Sequence, residues 1–251
     1  MGLAIYYREL RRREMLDDRI VRISLVVILG GAVGARLITA WEHPDYYRAL
    51  TEAPLTWVIE HSGKSLIGAI AGGYLAGVLA KRAMGYRLST GDCYALAIPV
   101  ATVIGRVGCF LSELPLGTPT DLPWGVRVDA AAAEAFVRCP GCDLPMHPSM
   151  VYEIVFNLVA AAAIVRWGRS VPVPGDLLKA YLLAAGSFRF LVEFVRGTEV
   201  QALGLTGPQI VLVPLVGLLV VNFARQARVG AWRLPPAPLP LRADLTTGGV
   251  Q

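Results

Sequence analysis

Residues 95–111 read ALAIPVATVIGRVGCFL, an apolar run with a single charge, Arg106, set within it. Its length is near what a helix needs to cross the hydrocarbon core of a bilayer. Two further stretches have the same character: ILGGAVGARLITAW, residues 28–41, around Arg36, and AYLLAAGSFRFLVEF, residues 180–194, around Arg189. A charged side chain near the bilayer centre costs at least a few kcal/mol, so three such arginines need a purpose. Guanidinium grips phosphate through a planar, paired set of donors and stays charged. An intramembrane phosphate is ordinarily a lipid head group, and the first expectation is a protein that works on phospholipid.

Composition agrees. Of 251 residues, 55% are hydrophobic and only 17% charged, with a mean hydropathy of +0.52. The apolar runs predict six spans, at roughly 21–41, 65–80, 92–112, 149–167, 177–195 and 206–224. The fold class expected is therefore an all-α polytopic membrane bundle. MGLAIYY, residues 1–7, has the look of the end of a longer helix, so a truncated seven-span chain is the variant of this reading. The organisation expected is a basic N-terminal segment over 1–20, a transmembrane domain over 21–226 and a disordered tail over 227–251, rich in proline and polar residues.

Lys and Arg are unevenly divided between the loops. The N-terminal segment, the 81–91 and 166–179 loops and the tail hold 16, and the opposite loops five. By the positive-inside rule both termini are cytoplasmic, and the formal charge of +5 is explained by topology without a nucleic-acid partner. RELRRREMLDDR is too long and charged to precede a removable signal core.

Glycines recur at the spacing that lets membrane helices approach closely: Gly30/Gly34, Gly68/Gly72 and Gly73/Gly77. Cys139 and Cys142 form CPGC in a proline-rich external loop, where a disulfide, free thiols or a redox pair are readings to weigh and a zinc site is a weaker one. No metal or cofactor is expected. Gly63-Lys64-Ser65 resembles the end of a P-loop, but the first glycine of that motif would fall on Val58, and nucleotide binding is unsupported.

The chemistry-bearing residues gather in three segments. GRVGCF, with Arg106, is followed by DLPWGV, residues 121–126; HPSMVYE carries His147, Tyr152 and Glu153; RFLVEFVR carries Arg189 and, one helical turn on, Glu193. Individually, Glu193 can simply neutralise Arg189, His147 can cap a helix, and Tyr152 and Glu153 can serve as interfacial and pairing residues. Together they assemble cations and proton-transfer groups near the external leaflet.

These segments, with GGAVGARL, Asp45-Tyr46-Tyr47 and GKSLIGAIAGG, run in the order found in the prolipoprotein diacylglyceryl transferases, which the chain resembles from about residue 8 to 222. The resemblance implies a bacterial plasma-membrane enzyme that moves diacylglyceryl from phosphatidylglycerol to the thiol of a lipobox cysteine in a prolipoprotein signal peptide, releasing glycerol phosphate. It implies Arg106 and Arg189 as phosphate-facing arginines, Glu193 as the acid that orients the latter, and Arg36, Lys64, Ser65, Tyr152 and Glu153 as substrate-binding residues, with His147 among the catalytic ones. The family's HGGLIG reads GKSLIG here, placing Gly63 at its histidine; Lys64 or His147 would stand in. Its GRIGNF asparagine is Cys109, and a tyrosine usual four residues before the last arginine is Ala185. Two rival readings remain: a paralogue using the same cavity for another acceptor, and a non-catalytic lipid-binding module.

Overall fold

The computed structural model describes residues 1–42, 65–86, 88–111, 117–127, 144–198 and 200–230. The chain is a helical membrane protein. It forms two compact units, residues 14–88 and residues 1–13 together with 89–251.

Within the second of these, helix α1 (Gly2–Arg12) leads in. It buries Tyr6 and Leu10, and Tyr6 stacks on Tyr94 with ring centroids 4.2 Å apart. The unit of residues 14–88 is an α-hairpin of α2 (Asp18–Glu42) and α3 (Leu66–Ala83). The glycine pattern read from the sequence forms its seam. A Cβ on Gly34 would strike the Gly68 carbonyl and lie 2.8 Å from the Gly72 Cα, and one on Gly72 would strike the Gly30 carbonyl. The two backbones are in direct contact there, which no larger residue permits.

The larger unit continues with the single turn α4 (Gly91–Tyr94) and α5 (Ala97–Leu111), then α6 (Ser149–Trp167), α7 (Asp176–Val192) and α8 (Gly207–Arg228). A tight hairpin, β1 (Val200–Ala202) and β2 (Leu205–Thr206), joins α7 to α8. Gly175, with φ +92°, has no side chain to cap α7. Asp92 supplies the cap from a distance, accepting from the Gly175 and Leu178 amides at 2.8 and 3.3 Å. Arg13 bridges this carboxylate at 3.8 Å and Glu9 at 3.0 Å, fastening the end of α1 to the same point. At α8, Thr206 and Gln209 form a capping box, and the Gln209 amide also donates to the Phe190 carbonyl of α7 at 3.2 Å.

All six expected segments are helical. Four stretches among the described residues are long and apolar enough to cross a membrane: Asp18–Leu37, Gly91–Leu111, Ser149–Ser170 and Gly207–Arg228. α3 and α7 have 18 and 17 residues and carry charge, Lys81 and Arg82 in the one and Asp176, Lys179 and Arg189 in the other. The packing is that of a bilayer protein. Leu25, Leu29, Val33, Val155, Val159 and Leu218 point outward, while Glu153, Asn157, Asp176, Glu193 and Gln209 are buried. Lipid tails solvate apolar side chains as well as a core does, so the interior is left to small and polar groups that satisfy one another.

Candidate functional site

On α7 and the 3-10 turn that ends it (Glu193–Val195), residues 189, 193 and 196 follow one another at helical spacing on one face. Arg189 pairs with Glu193 one turn on. The facing helix α6 presents Glu153, only 4% exposed. Glu153 is a hub: it holds Arg106 of α5 through one carboxylate oxygen at 2.5 Å, and Arg196 at 3.2 Å and Arg189 at 3.7 Å through the other. Three guanidiniums thus converge on two carboxylates, leaving one positive charge in excess.

The burial is graded in a way that matters. The carboxylates of Glu153 and Glu193 lie deepest, whereas the guanidinium side chains of Arg106, Arg189 and Arg196 keep 14, 16 and 27% of their surface. The acids fix the arginines from behind and the accessible side is cationic. Burial first, then repulsion from Arg189 and Arg106, draws the Arg196 guanidinium down to about 10. It stays protonated at neutral pH. Below the cluster, the Tyr181 hydroxyl donates to the Asn157 Oδ1 at 2.8 Å, and the Asn157 amide donates to the Glu153 carbonyl at 2.8 Å, so the polar groups between α6 and α7 support each other.

A strap of loop closes over the ends of these helices. The Thr118 amide donates to the Val195 carbonyl at 2.9 Å, the His147 amide to the Thr118 carbonyl at 3.0 Å, and Val126 and Met146 exchange backbone bonds of 3.0 and 2.9 Å. Gly117 sits at the crossing, where a Cβ would strike the Val195 carbonyl and approach the His147 carbonyl within 2.7 Å. This strap sets His147 against Tyr152: Nδ1 lies 3.1 Å from Oη. The Trp124 indole N–H donates to the same oxygen at 2.9 Å.

The structure therefore brings Arg106, Arg189, Glu193 and Glu153 into one cluster, and His147 and Tyr152 into one contact. Arg36 and Ser65 belong to the unit of residues 14–88. There the Arg36 guanidinium donates to the Ala32 carbonyl at 3.4 Å, and the Ser65 hydroxyl caps α3 by accepting from the Gly68 amide at 3.3 Å. Lys64, Asp45, Tyr46, Tyr47, Gly63, Cys139 and Cys142 lie outside the described residues. Two members were not singled out from the sequence. Arg196 is one of the five charges of the opposite loops in the sequence, although its place seven residues after Arg189 carries the signal. Trp124 sits 28 positions from the hydroxyl it contacts, and no local pattern marks that.

A family model described as prolipoprotein diacylglyceryl transferase matches residues 1–225. Among similar proteins, the phosphatidylglycerol–prolipoprotein diacylglyceryl transferase of Cereibacter sphaeroides is 33% identical, the alignment covering 85% of this chain and 79% of that protein. The proteins of the same name from Bordetella parapertussis and Rhodospirillum rubrum are 31% and 30% identical. Their alignments cover 86% and 85% of this chain, and 84% and 77% of theirs.

Proposed function

Because the chain belongs to the prolipoprotein diacylglyceryl transferase family, we propose that it transfers diacylglyceryl from phosphatidylglycerol to the lipobox cysteine of a prolipoprotein signal peptide, releasing glycerol phosphate. The setting is the bacterial inner membrane, with both termini cytoplasmic as the Lys and Arg distribution suggests. Residues 21–226 form the transferase domain and 227–251 a tail.

The observation that carries this reading is the arginine cluster on Glu153. The thiolate attacks the glyceryl carbon, and the electron pair of the broken C–O bond moves onto a phosphate oxygen. Preorganised cations at that oxygen stabilise the departing phosphate monoester. Arg106 and Arg189 take this role, and Glu193 holds Arg189 on target. Glu153 aligns all three arginines from behind. Arg36, Lys64, Ser65 and Tyr152 contribute to binding the substrates.

The test is complementation of cells depleted of their own transferase, scored by diacylglyceryl modification of a lipobox reporter. Rescue by the wild-type chain, with its loss in Arg106→Ala and Arg189→Ala at equal membrane levels, is the expected result. A well-inserted chain that never modifies the reporter would turn the proposal toward another acceptor at the same phosphate grip. Cys109 and Gly63, which stand where the family pattern has asparagine and histidine, favour that second reading.

A further inference from the structure

The hairpin between α7 and α8 carries a residue that neither its turn nor its packing accounts for. Leu203 and Gly204 are the two central residues of the turn, with φ of +54° and +74°. Positive φ at both positions is the pattern of a type I′ turn, which favours Asn-Gly and disfavours a bulky aliphatic residue. Leucine stands there nonetheless, and 97% of its surface is exposed, more than for any other large hydrophobic residue among those described. The space around the tip is open: a Cβ on Gly204 would meet nothing within 4 Å. Val200 on β1 is 64% exposed as well. The polar Gln201 beside it turns back toward the protein, its Oε1 only 3.0 Å from where a Cβ on Gly207 would sit. Residues 200–206, VQALGLT, hold no charge.

The position of the hairpin says what it meets. α8 starts at Gly207 and has 22 residues, a length of about 33 Å that matches the ~30 Å hydrocarbon core. Its first turn therefore lies where hydrocarbon gives way to head groups. The tip is three residues from Thr206, a reach of about 10 Å at most, so it stays at the head-group layer. Leu191 and Phe194, 64% and 60% exposed at the end of α7 and in the turn that follows, bring lipid-facing apolar surface up to the hairpin.

We propose that the β1–β2 hairpin is a lipid-contacting surface, with Leu203 and Val200 seated among the phospholipids of the leaflet beside the arginine cluster. Two other occupants fit it less well. A peptide strand adding to β1 needs a regular edge, and β1 has three residues and a register shift between Val200 and Ala202. A second copy of the chain would gain two side chains of contact, far short of the roughly 800 Å² per partner of a stable interface. The proposal stands whether or not the chain transfers diacylglyceryl.

The experiment places the photo-cross-linker p-benzoylphenylalanine at position 203, or at 200, in the full chain. The protein is irradiated in phosphatidylglycerol–phosphatidylcholine nanodiscs with a lipobox peptide present, and adducts are identified by intact mass. Position 218, where Leu218 faces outward on α8, is the positive control. Positions 203 and 200 should each give a phospholipid adduct. Leu203→Asn suits the turn but removes the apolar side chain, and it should lower the lipid adduct at position 200 roughly tenfold, the scale of one buried leucine. Gel filtration should stay that of wild type. If the chain substituted at 203 does not elute as wild type, position 200 alone decides. No lipid adduct from folded protein while position 218 gives one overturns the proposal, and so does an adduct to the peptide or to a second copy in place of lipid. An adduct at position 200 undiminished by Leu203→Asn overturns the part assigned to Leu203.

Discussion

Glu153→Gln is the sharpest perturbation this site offers, because one neutral substitution changes the charge balance without changing volume. The wild-type cluster sets three guanidiniums against two carboxylates; the variant sets three against one. Removing one partner of a buried ion pair costs about 3–5 kcal/mol. Here the lower end, about 3 kcal/mol, applies, because the three arginines keep 14–27% of their side-chain surface and can draw on solvent. Glutamine retains one carbonyl acceptor and cannot hold Arg106 on one side and Arg196 and Arg189 on the other. The arginines should spread, while the net attraction for a lipid phosphate rises. Transfer assays in nanodiscs should therefore show kcat lower by about 10²-fold, the scale of a misplacement near 1 Å, with the lipid KM unchanged or reduced. Thermal unfolding followed in the same nanodiscs should show the stability loss. Wild-type melting together with wild-type kcat would refute the reasoning, since it would mean that the arginines hold their places without the hub.

Four other substitutions test separate parts of the structure. Arg189→Lys keeps the charge but gives up the planar fork, and transfer should fall by about 10²–10³-fold, as when one fixed donor to a developing oxyanion is lost, with membrane insertion intact. Gly72→Val should disrupt the α2–α3 seam, where a Cβ would meet the Gly30 carbonyl, and be seen as loss of folded protein after detergent extraction. Gly217→Ala on α8, with open space around it, should extract as wild type. Asp92→Ala removes the cap of α7 and should lower stability by about 0.5–2 kcal/mol, read from the melting midpoint, with the lipid KM unchanged.

The sequence reading and the structure part company at instructive places. Apolar runs 16 to 21 residues long announce helices in a membrane protein because backbone groups have no other way to be satisfied in lipid. That is why α6 lies over 149–167 as expected, and why the glycine seam of α2 and α3 was legible from spacing alone. Arg189 and Glu193 were legible for the same reason, being one turn apart on one helix. Glu153 was visible as a polar residue inside a span, but its three partners come from α5, α7 and the turn after it, and that convergence is a property of tertiary packing. α1 is a helix that a charge-based reading treats as a basic segment; its arginines face away from the buried Tyr6 and Leu10 stripe. The β1–β2 hairpin and the Trp124–Tyr152–His147 contact depend on loop positions far apart in the chain.

The cost of three arginines near a span explains why the site takes this form. A lone guanidinium in hydrocarbon is expensive, and so is a lone carboxylate. Full neutralisation would remove the penalty but also the attraction for phosphate. Three arginines around two buried acids resolve the conflict: each acid is paired with a guanidinium, and one positive charge remains for an anionic ligand. The same arrangement dictates the order of burial, since acids placed outside the arginines would repel the lipid phosphate they are meant to admit. Glu153 and Glu193 lie beneath their partners, as this argument requires.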